Sequence, residues 1–385
     1  MKLTGVELVR VDLPFRQAIG TAAGVHRLRP LLFVRVVAAD DEGWGECAAL
    51  DGGTAVDPAL ATVAQAAEDL GVRRLFEATA ARGGQLPSAA GVAQLFGGTA
   101  VDRMLAAAFE MAVADAELRA AGRSLATELG VTEGFEAMAV GAVVGIPDGR
   151  DIGVLRQEVD TVVRAGAARV RLKVEPGWCA VPARAVRADH PDLVLQVDAN
   201  GSFSAGDEDV ALLGRLAEFD VLCIEQPLPP ADLVAHALLA RLLPVPICLD
   251  ESLTSPRRVT DALRNGSCAM ACLKPARLGG LRATRAAHAA CAAAGVPVFV
   301  GGFFEAGLGR SSNLALAARL SQDATGLVSD VGDPAGYLAV DPCGYPMVRS
   351  GWVRVPAGPG VGNEPDAEVL TEFCAQRRWF PATYT

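Results

Sequence analysis

The sequence lacks the features that mark secreted and membrane-spanning proteins. No stretch of about 18 apolar residues is free of charge, as a membrane-spanning helix would require. The start, MKLTGVELVRVDLPF, alternates polar and apolar residues and has no uninterrupted apolar core of a signal peptide. The nine cysteines show no CxxC spacing, which indicates reduced core residues and not a disulfide framework. These absences predict a cytoplasmic protein without a membrane partner.

Positive charge is also scarce. The chain has 35 Lys and Arg residues against 45 Asp and Glu residues, for a net charge of -10. No block of consecutive Lys or Arg offers a nucleic-acid-binding face, so we expect a small-molecule partner and no nucleic acid. Hydrophobic residues make up 51% of the 385 positions. That length suits a barrel of about 250 residues with an accessory domain.

The pattern along the chain predicts three parts. Residues 1–130 begin with alternating segments and continue into Ala-rich helical stretches, which indicates an α+β capping domain. Residues 131–340 repeat short apolar runs that end in a polar residue and precede an amphipathic segment, as in a parallel βα barrel. Residues 341–385 are expected to return to the first domain. Periodicity favours a closed barrel but leaves a doubly wound open sheet as an alternative.

Five charged residues end successive apolar runs at intervals of 24 to 27 positions: Lys173, Asp198, Glu225, Asp250 and Lys274. The carboxyl ends of parallel barrel strands meet at one mouth, so these side chains should face one cavity. Three carboxylates without His or Cys suit Mg²⁺, or another divalent cation such as Mn²⁺, completed by water and substrate oxygens. The plainer alternative is that each acid caps the next helix, which explains one acid better than three at regular spacing.

Two cations stand one residue apart in the run ARVRLKVEPGW. Arg171 and Lys173 would project from the same face of a strand. Since a lysine acts as a base only when neutral, and nearby positive charge lowers its pKa, Arg171 is predicted to tune Lys173. A pair of ordinary surface cations on an edge strand is the alternative. Two lysines beside a metal-bound carboxylate would allow removal of the α-proton through an ene-diolate, as in racemisation, epimerisation or β-elimination.

Several motifs resemble the enolase superfamily: DEGWGECAAL, RLKVEPGW, VDAN, IEQPL, CLDES, LKPARLGG and GGFFEAGLGRSSN. Within it they look most similar to the N-succinylamino acid racemase and o-succinylbenzoate synthase group of the muconate lactonizing enzyme subgroup. The resemblance implies a modified (β/α)₇β TIM-like barrel with an α+β capping domain formed from both termini. It also implies Mg²⁺ on Asp198, Glu225 and Asp250, with acid/base lysines at Lys173 and Lys274. We further expect a homo-oligomer that binds a small carboxylate substrate.

The same resemblance implies roles around the lysines. Arg277 stands where racemising members carry an arginine that tunes the lysine matching Lys274, although a surface cation at a helix start is the plainer interpretation. The resemblance also implies that the substrate pocket is lined by Asn200, Gly302, Phe303 and Glu305. It further implies a mobile loop that closes over the substrate and contains Phe15, Ile19 and Thr21. This sequence departs from the family pattern at Arg171, usually Lys, and at Val143, where a hydroxyl residue is expected.

The sequence gives less support to other functions. Mandelate racemase-type relatives need a histidine late in the barrel, and no His follows His288. Dipeptide epimerases carry a DxD pair, whereas Asp330 and Asp333 have the wrong spacing. Muconate cycloisomerase keeps the same lysine pair and stays open. A phosphate-binding barrel without metal chemistry, using GGFFEAGLG at a helix start, and a non-catalytic binding protein both leave the three acids unexplained.

Overall fold

The computed structural model describes residues 1–21, 24–39, 41–323 and 326–383. The strands are β1 (Leu3–Thr21), β2 (Gly24–Ala38), β3 (Glu42–Cys47), β4 (Ala137–Ala139), β5 (Gly141–Val144), β6 (Arg169–Lys173), β7 (Leu195–Asp198), β8 (Ile224–Glu225), β9 (Ile247–Leu249), β10 (Met270–Leu273), β11 (Val298–Val300), β12 (Trp352–Arg354) and β13 (Cys374–Pro381). The α-helices are α1 (Leu60–Ala66), α2 (Val72–Ala80), α3 (Ala89–Val92), α4 (Ala100–Ala120), α5 (Leu125–Leu129), α6 (Ile152–Arg164), α7 (Ala180–Asp189), α8 (Asp207–Gly214), α9 (Leu233–Leu242), α10 (Pro256–Asn265), α11 (Pro275–Leu278), α12 (Leu281–Ala293), α13 (Gly307–Leu320) and α14 (Ala367–Glu372). A π-helical turn, Ala67–Gly71, joins α1 to α2.

Both ends of the chain meet in one antiparallel sheet. Its strand order is β13-β1-β2-β3, and Gly5 of β1 lies opposite Pro381 of β13. The alternating apolar residues of β1 and β2 place one face of this sheet in the core, where residues such as Val9 and Phe33 are fully buried. A capping region formed from both termini is therefore confirmed, while the boundaries at residues 130 and 340 stay predictions.

Helix α4 packs on the capping sheet through two glycines of β3. A side chain carbon on Gly45 would lie 2.0 Å from the Ala108 carbonyl oxygen, and one on Gly43 would lie 2.2 Å from that of Ala112. Only residues without a Cβ allow so close an approach between a strand and a helix backbone. The two glycines of the motif GWGEC are thus required by the packing of the cap.

Seven parallel strands, β5 to β11, lie side by side in chain order. The extended segment 326–330 closes the ring between the first and the last of them. On one side Leu327 N donates to Val298 O at 2.8 Å, and on the other Gly141 N donates to Ser329 O at 3.0 Å. The predicted closed barrel is confirmed, and the open-sheet alternative is wrong.

Two smaller expectations concern the cysteines and the membrane. All nine cysteines are free in the structure, as the sequence predicts. Within the described ranges, no helix combines the length and the apolar character needed to cross a bilayer.

The glycine contact in the cap yields a stability prediction. Gly45→Ala is expected to lower the free energy of unfolding by about 3 kcal/mol, because the new methyl group would overlap the α4 backbone. Urea unfolding followed by circular dichroism measures this loss. Gly98→Ala is the matched control, since no heavy atom lies within 4 Å of the added carbon. Equal midpoints for both variants would contradict the packing argument.

Candidate active site

Three carboxylates lie at the carboxyl ends of neighbouring barrel strands. Asp198 ends β7, Glu225 ends β8 directly opposite it in register, and Asp250 follows β9. Their exposed fractions are 1%, 0% and 1%. An ionised carboxylate removed from water in this way is costly unless a cation and hydrogen bonds accompany it. The fold therefore has to supply positive charge at this mouth.

Two lysines provide part of that charge, one on each side of the acids. Lys173 Nζ lies 2.7 Å from Asp198 Oδ2 and also donates to Asn200 Oδ1 at 2.7 Å. Lys274 Nζ lies 2.7 Å from Asp250 Oδ2. The structure thus brings together the charged strand ends that the sequence singled out. Asn200, one of the predicted pocket residues, joins them.

Arg171 reaches deeper into the barrel than Lys173. Its Nη1 donates to both carboxylate oxygens of Glu225, at 2.9 and 2.8 Å, and its Nη2 donates to Asp330 Oδ2 at 2.5 Å. Its Nε lies 4.0 Å from Asp198 Oδ2, the oxygen that Lys173 also contacts. Strand β6 is interior and Arg171 is buried, so the surface-cation alternative is wrong. That Arg171 tunes Lys173 stays a prediction.

The acids differ in their electrostatic surroundings. Burial raises the pKa of Glu225 to about 8 against the pull of Arg171, and the Asp198 and Asp250 charges add to the rise. Burial alone would also raise the pKa of Asp250, but Lys274 and Arg277 hold it well below its usual range. In turn, Asp250 overcomes the burial of Lys274 and raises the pKa of that ammonium group. A divalent cation at this mouth would relieve the repulsion among the carboxylates.

Part of the predicted donor set fits such a cation. Among the described residues, Glu225, Asp250 and Cys272 offer ligand atoms that all lie within 4.8 Å of one another. Asp198 lies outside this group in the structure. Cys272 belongs to a buried cluster with Cys223, Cys248 and Phe299, one layer below the acids, as the period of two along a strand predicts. Two of the three predicted metal ligands are therefore close enough to share an ion as they stand.

Arg277 occupies the other side of the site. It is buried, and its Nη1 donates to Asp250 Oδ1. Its Nε and Nη2 donate to the two carboxylate oxygens of Asp57, at 2.8 and 2.7 Å. The ring centroid of Phe303 lies 5.0 Å from the Arg277 guanidinium carbon and 4.8 Å from Lys274 Nζ, within cation–π range. A surface cation at a helix start is therefore the wrong interpretation of Arg277.

The segment GGFFEAG lies beside Lys274 and under the cap. Glu305 is buried, and its carboxylate accepts hydrogen bonds from Phe303 N and Asn313 Nδ2, both at 2.9 Å. A side chain carbon on Gly302 would lie 2.6 Å from Glu305 Oε2, so this glycine leaves room for that carboxylate. Glu305 thus fixes the loop that carries Phe303, and its predicted contact with the substrate stays a prediction.

The start of α13 is already occupied by carboxylates of the chain. Glu46, from β3, accepts hydrogen bonds from Ala306 N at 2.9 Å and Gly309 N at 2.8 Å. Asp341 accepts from Gly307 N at 2.9 Å. These are the N–H groups that a phosphate at this helix start would need. The phosphate-binding alternative is therefore disfavoured.

The predicted closing loop is part of a strand. Phe15 belongs to β1, and its ring packs edge-on against Phe304 with centroids 5.9 Å apart. Ile19 and Thr21 lie in the same strand, and their side chains fall outside the described part of the structure. The segment is therefore an extension of the β1–β2 hairpin and not an irregular loop, because residues 19–21 pair with residues 24–26 of β2.

Sequence reasoning missed several residues that support the site. Gln226 Oε1 accepts from Asp250 N at 3.1 Å and from Ser252 N at 3.0 Å, which fixes the end of β9. Gln196 donates to Glu225 Oε2 from the neighbouring strand. The position of Gln196, two residues before Asp198, was the available signal, since it must share the inward face. No comparable local signal points to Asp57.

Arg171 yields a prediction about stability. Arg171→Met is expected to lower the free energy of unfolding by about 3–5 kcal/mol, because it leaves buried Glu225 and Asp330 without their shared cation. Urea unfolding in EDTA measures this loss. The matched control is Arg73→Met, which breaks an exposed pair with Glu77 and should change stability by less than about 0.5 kcal/mol. Similar losses in both variants would show that the Arg171 bridges do not stabilise the barrel.

Comparison with known proteins agrees with this geometry. The family model "Enolase C-terminal domain-like" matches residues 154–369. An N-succinylamino acid racemase from Amycolatopsis sp. is 39% identical over 380 residues, covering 98% of this chain and 99% of the relative. An o-succinylbenzoate synthase from Geobacillus kaustophilus is 32% identical over 382 residues, covering 99% and 98%, respectively.

Solved structures give the same result. An enolase superfamily member from Listeria innocua superposes with a TM-score of 0.90 at 29% identity, with 100% of both chains covered. The muconate lactonizing enzyme of Pseudomonas fluorescens has a TM-score of 0.81 at 21% identity, covering 97% of this chain and 99% of that one, and shares the fold. Members of this superfamily generally use a divalent metal. The capped barrel, the strand-end acids and lysines, and these similarities together show that the chain belongs to the enolase superfamily and that its close relatives are enzymes.

Proposed function

We propose that this protein catalyses the removal of a proton from the carbon α to a substrate carboxylate, through an ene-diolate, as an N-acyl amino acid racemase, an o-succinylbenzoate synthase, or both. The observation that carries the proposal is the pair of lysines on opposite sides of the acid cluster, each with Nζ 2.7 Å from a buried carboxylate. N-succinyl amino acids are the first substrates to consider, given the name of the Amycolatopsis relative.

The use of lysine supports this assignment. The chain contains only three lysines, Lys2, Lys173 and Lys274, and two of them stand at this mouth. The remaining Lys and Arg positions, apart from Lys2, are all arginines, which stay protonated and cannot exchange a proton. A lysine can lose and regain one when its surroundings allow. The residue type that can transfer protons is therefore concentrated at the proposed reaction centre.

Asp198, Glu225 and Asp250 would hold the metal, for which Mg²⁺ is the proposal and Mn²⁺ or another divalent cation an acceptable substitute. When bound, the ion supplies Lewis-acid stabilisation of the ene-diolate charge. An ion bound by Asp198 and Asp250 would offset the negative charge that faces Lys173 and Lys274. Asp250 raises the pKa of Lys274 against the effect of burial, so such an ion would favour the neutral amine that proton removal requires.

Each lysine has a distinct role in the proposal. Lys173 removes the α-proton on one face, and Lys274 either returns a proton on the opposite face, for racemisation, or stabilises the intermediate, for dehydration. Arg171 and Asn200 support Lys173, and Arg277 supports Lys274. The remaining proposed pocket residues are Gly302, Phe303, Glu305, Phe15 and Ile19. A cytoplasmic location and a homo-oligomeric state complete the proposal.

An isotope-exchange experiment tests this function. The protein is incubated in D₂O and Mg²⁺ with N-succinyl and N-acetyl amino acids, with the synthase precursor and with muconate. For the wild type we expect deuterium at the α-carbon of the amino acid substrate or dehydration of the synthase precursor. Lys173→Ala should lose both racemisation and dehydration. Lys2→Ala is the matched control, since it removes the remaining lysine of the chain, and it should retain full activity.

Chelation by EDTA and the choice of substrates distinguish this function from the phosphate-binding and cycloisomerase alternatives. EDTA should abolish turnover, and Mg²⁺ or Mn²⁺ should restore it. Turnover of muconate alone would assign the chain to the cycloisomerase alternative. Turnover that persists in EDTA would remove the metal from the mechanism, and racemisation or dehydration that persists in Lys173→Ala would remove Lys173.

A further inference from the structure

Arg277 is fixed by the capping region from two directions. Asp57, in the loop between β3 and α1, accepts hydrogen bonds from its Nε and Nη2 at 2.8 and 2.7 Å. Arg103 of α4 donates to the Arg277 backbone oxygen at 3.0 Å. A bidentate arginine–carboxylate pair sets the plane of the guanidinium group as well as its distance. The cap therefore determines where the remaining nitrogen, Nη1, points.

The Asp57 carboxylate is itself held in place. Thr54 Oγ1 donates to Asp57 Oδ2 at 2.8 Å and accepts from Asp57 N at 2.9 Å, while Thr54 N donates to Asp57 O at 2.9 Å. Gly53 adopts φ +67°, and a side chain carbon there would lie 2.7 Å from Asp57 O. Asp57 is also only 5% exposed. This turn presents a fixed acceptor and not a flexible one.

From Arg277 the contacts lead directly to Lys274. Arg277 Nη1 donates to Asp250 Oδ1, and Lys274 Nζ lies 2.7 Å from the other oxygen, Oδ2. Both cations also lie over the ring of Phe303. A rotation of the Arg277 guanidinium would therefore alter which Asp250 oxygen is free for Lys274.

The two lysines are supported from different parts of the fold. Beside Lys173, Arg171 is held by Asp330 of the barrel segment that closes the ring. Beside Lys274, Arg277 is held by Asp57 of the cap. A change in the cap loop should consequently reach Lys274 and leave Lys173 in place.

We infer that Asp57 is a positioning residue for Lys274, acting through Arg277, and that it favours reactions in which Lys274 transfers a proton over those in which only Lys173 does. The inference rests on the proposed function for its chemical consequence. Racemisation, which needs proton transfer on both faces, should depend on Asp57. Dehydration started by Lys173 should depend on it much less.

Exchange of each enantiomer tests the chemical consequence. The α-proton exchange rate of both enantiomers of an N-succinyl amino acid is measured in D₂O with Mg²⁺, and the enantiomer that still exchanges in Lys274→Ala is assigned to Lys173. Asp57→Asn should lower kcat for the Lys274 enantiomer by about 10- to 100-fold and change the other by less than about threefold. Thr54→Val, which keeps the carboxylate but removes its hydroxyl partner, should show a smaller loss on the same face.

The matched control is Asp102→Asn. Asp102 forms an ion pair with Arg74 at 2.7 Å within the cap. Its loss should not distinguish the enantiomers. An equal fall for both enantiomers in Asp57→Asn, or the same selectivity in Asp102→Asn, would overturn the positioning role.

A spectroscopic measurement without substrate separates this inference from the proposed function. With three lysines in the chain, ¹³Cε- and ¹⁵Nζ-labelled lysine gives a spectrum that Lys2→Arg and Lys274→Ala can assign. Asp57→Asn should shift the Lys274 signal and leave that of Lys173 in place, and an unchanged Lys274 signal would refute the inference. If the wild type exchanges neither enantiomer and does not dehydrate the synthase precursor, the proposed function fails, while the Lys274 signal still tests the contacts from Asp57 through Arg277 to Lys274.

Discussion

The burial of three carboxylates at adjacent strand ends is the constraint on which the site depends. Asp198, Glu225 and Asp250 are almost completely removed from water, and each would be strongly destabilising without a compensating charge. Cations from the flanking strands supply this charge. The register of β6, β7 and β8 aligns Lys173, Asp198 and Glu225 in one row. A divalent ion held at this mouth, as proposed, would share the compensation of these acids with the lysines.

Arginine and lysine make different kinds of contact with the acids. Arg171 bridges Glu225 and Asp330, and Arg277 bridges Asp250 and Asp57, so each guanidinium group joins two carboxylates from different elements. Such bridges suit a planar group that stays charged. Each lysine instead pairs with a single carboxylate at the mouth, Lys173 with Asp198 and Lys274 with Asp250. The chain thus separates the cations that build the site from those proposed to act in it.

The cap is part of the site's structure and does more than cover it. Arg29 of β2 donates to the backbone oxygens of Phe303 and Phe304, at 2.8 and 3.0 Å, and Glu46 of β3 holds the start of α13. Burial lowers the pKa of Arg29, although nearby Glu46 and Glu305 oppose that effect. These contacts fix the segment beside Lys274 from the cap side. A cap bound by buried polar groups can therefore influence chemistry in the barrel without touching the reacting atoms.

The sequence by itself determined the parallel βα repeat and the row of strand-end residues, from Lys173 to Lys274, because the repeat of strand and helix sets their spacing and the direction of parallel strands sets their common face. Closure of the sheet into a barrel was decided by the tertiary structure, through the hydrogen bonds of segment 326–330. Only the tertiary structure decided that Asp57 holds Arg277 and that Asp330 holds Arg171, across 220 and 159 residues, respectively. No local pattern encodes those pairs, since an acid in a loop has the same sequence signature whether it faces water or a buried arginine.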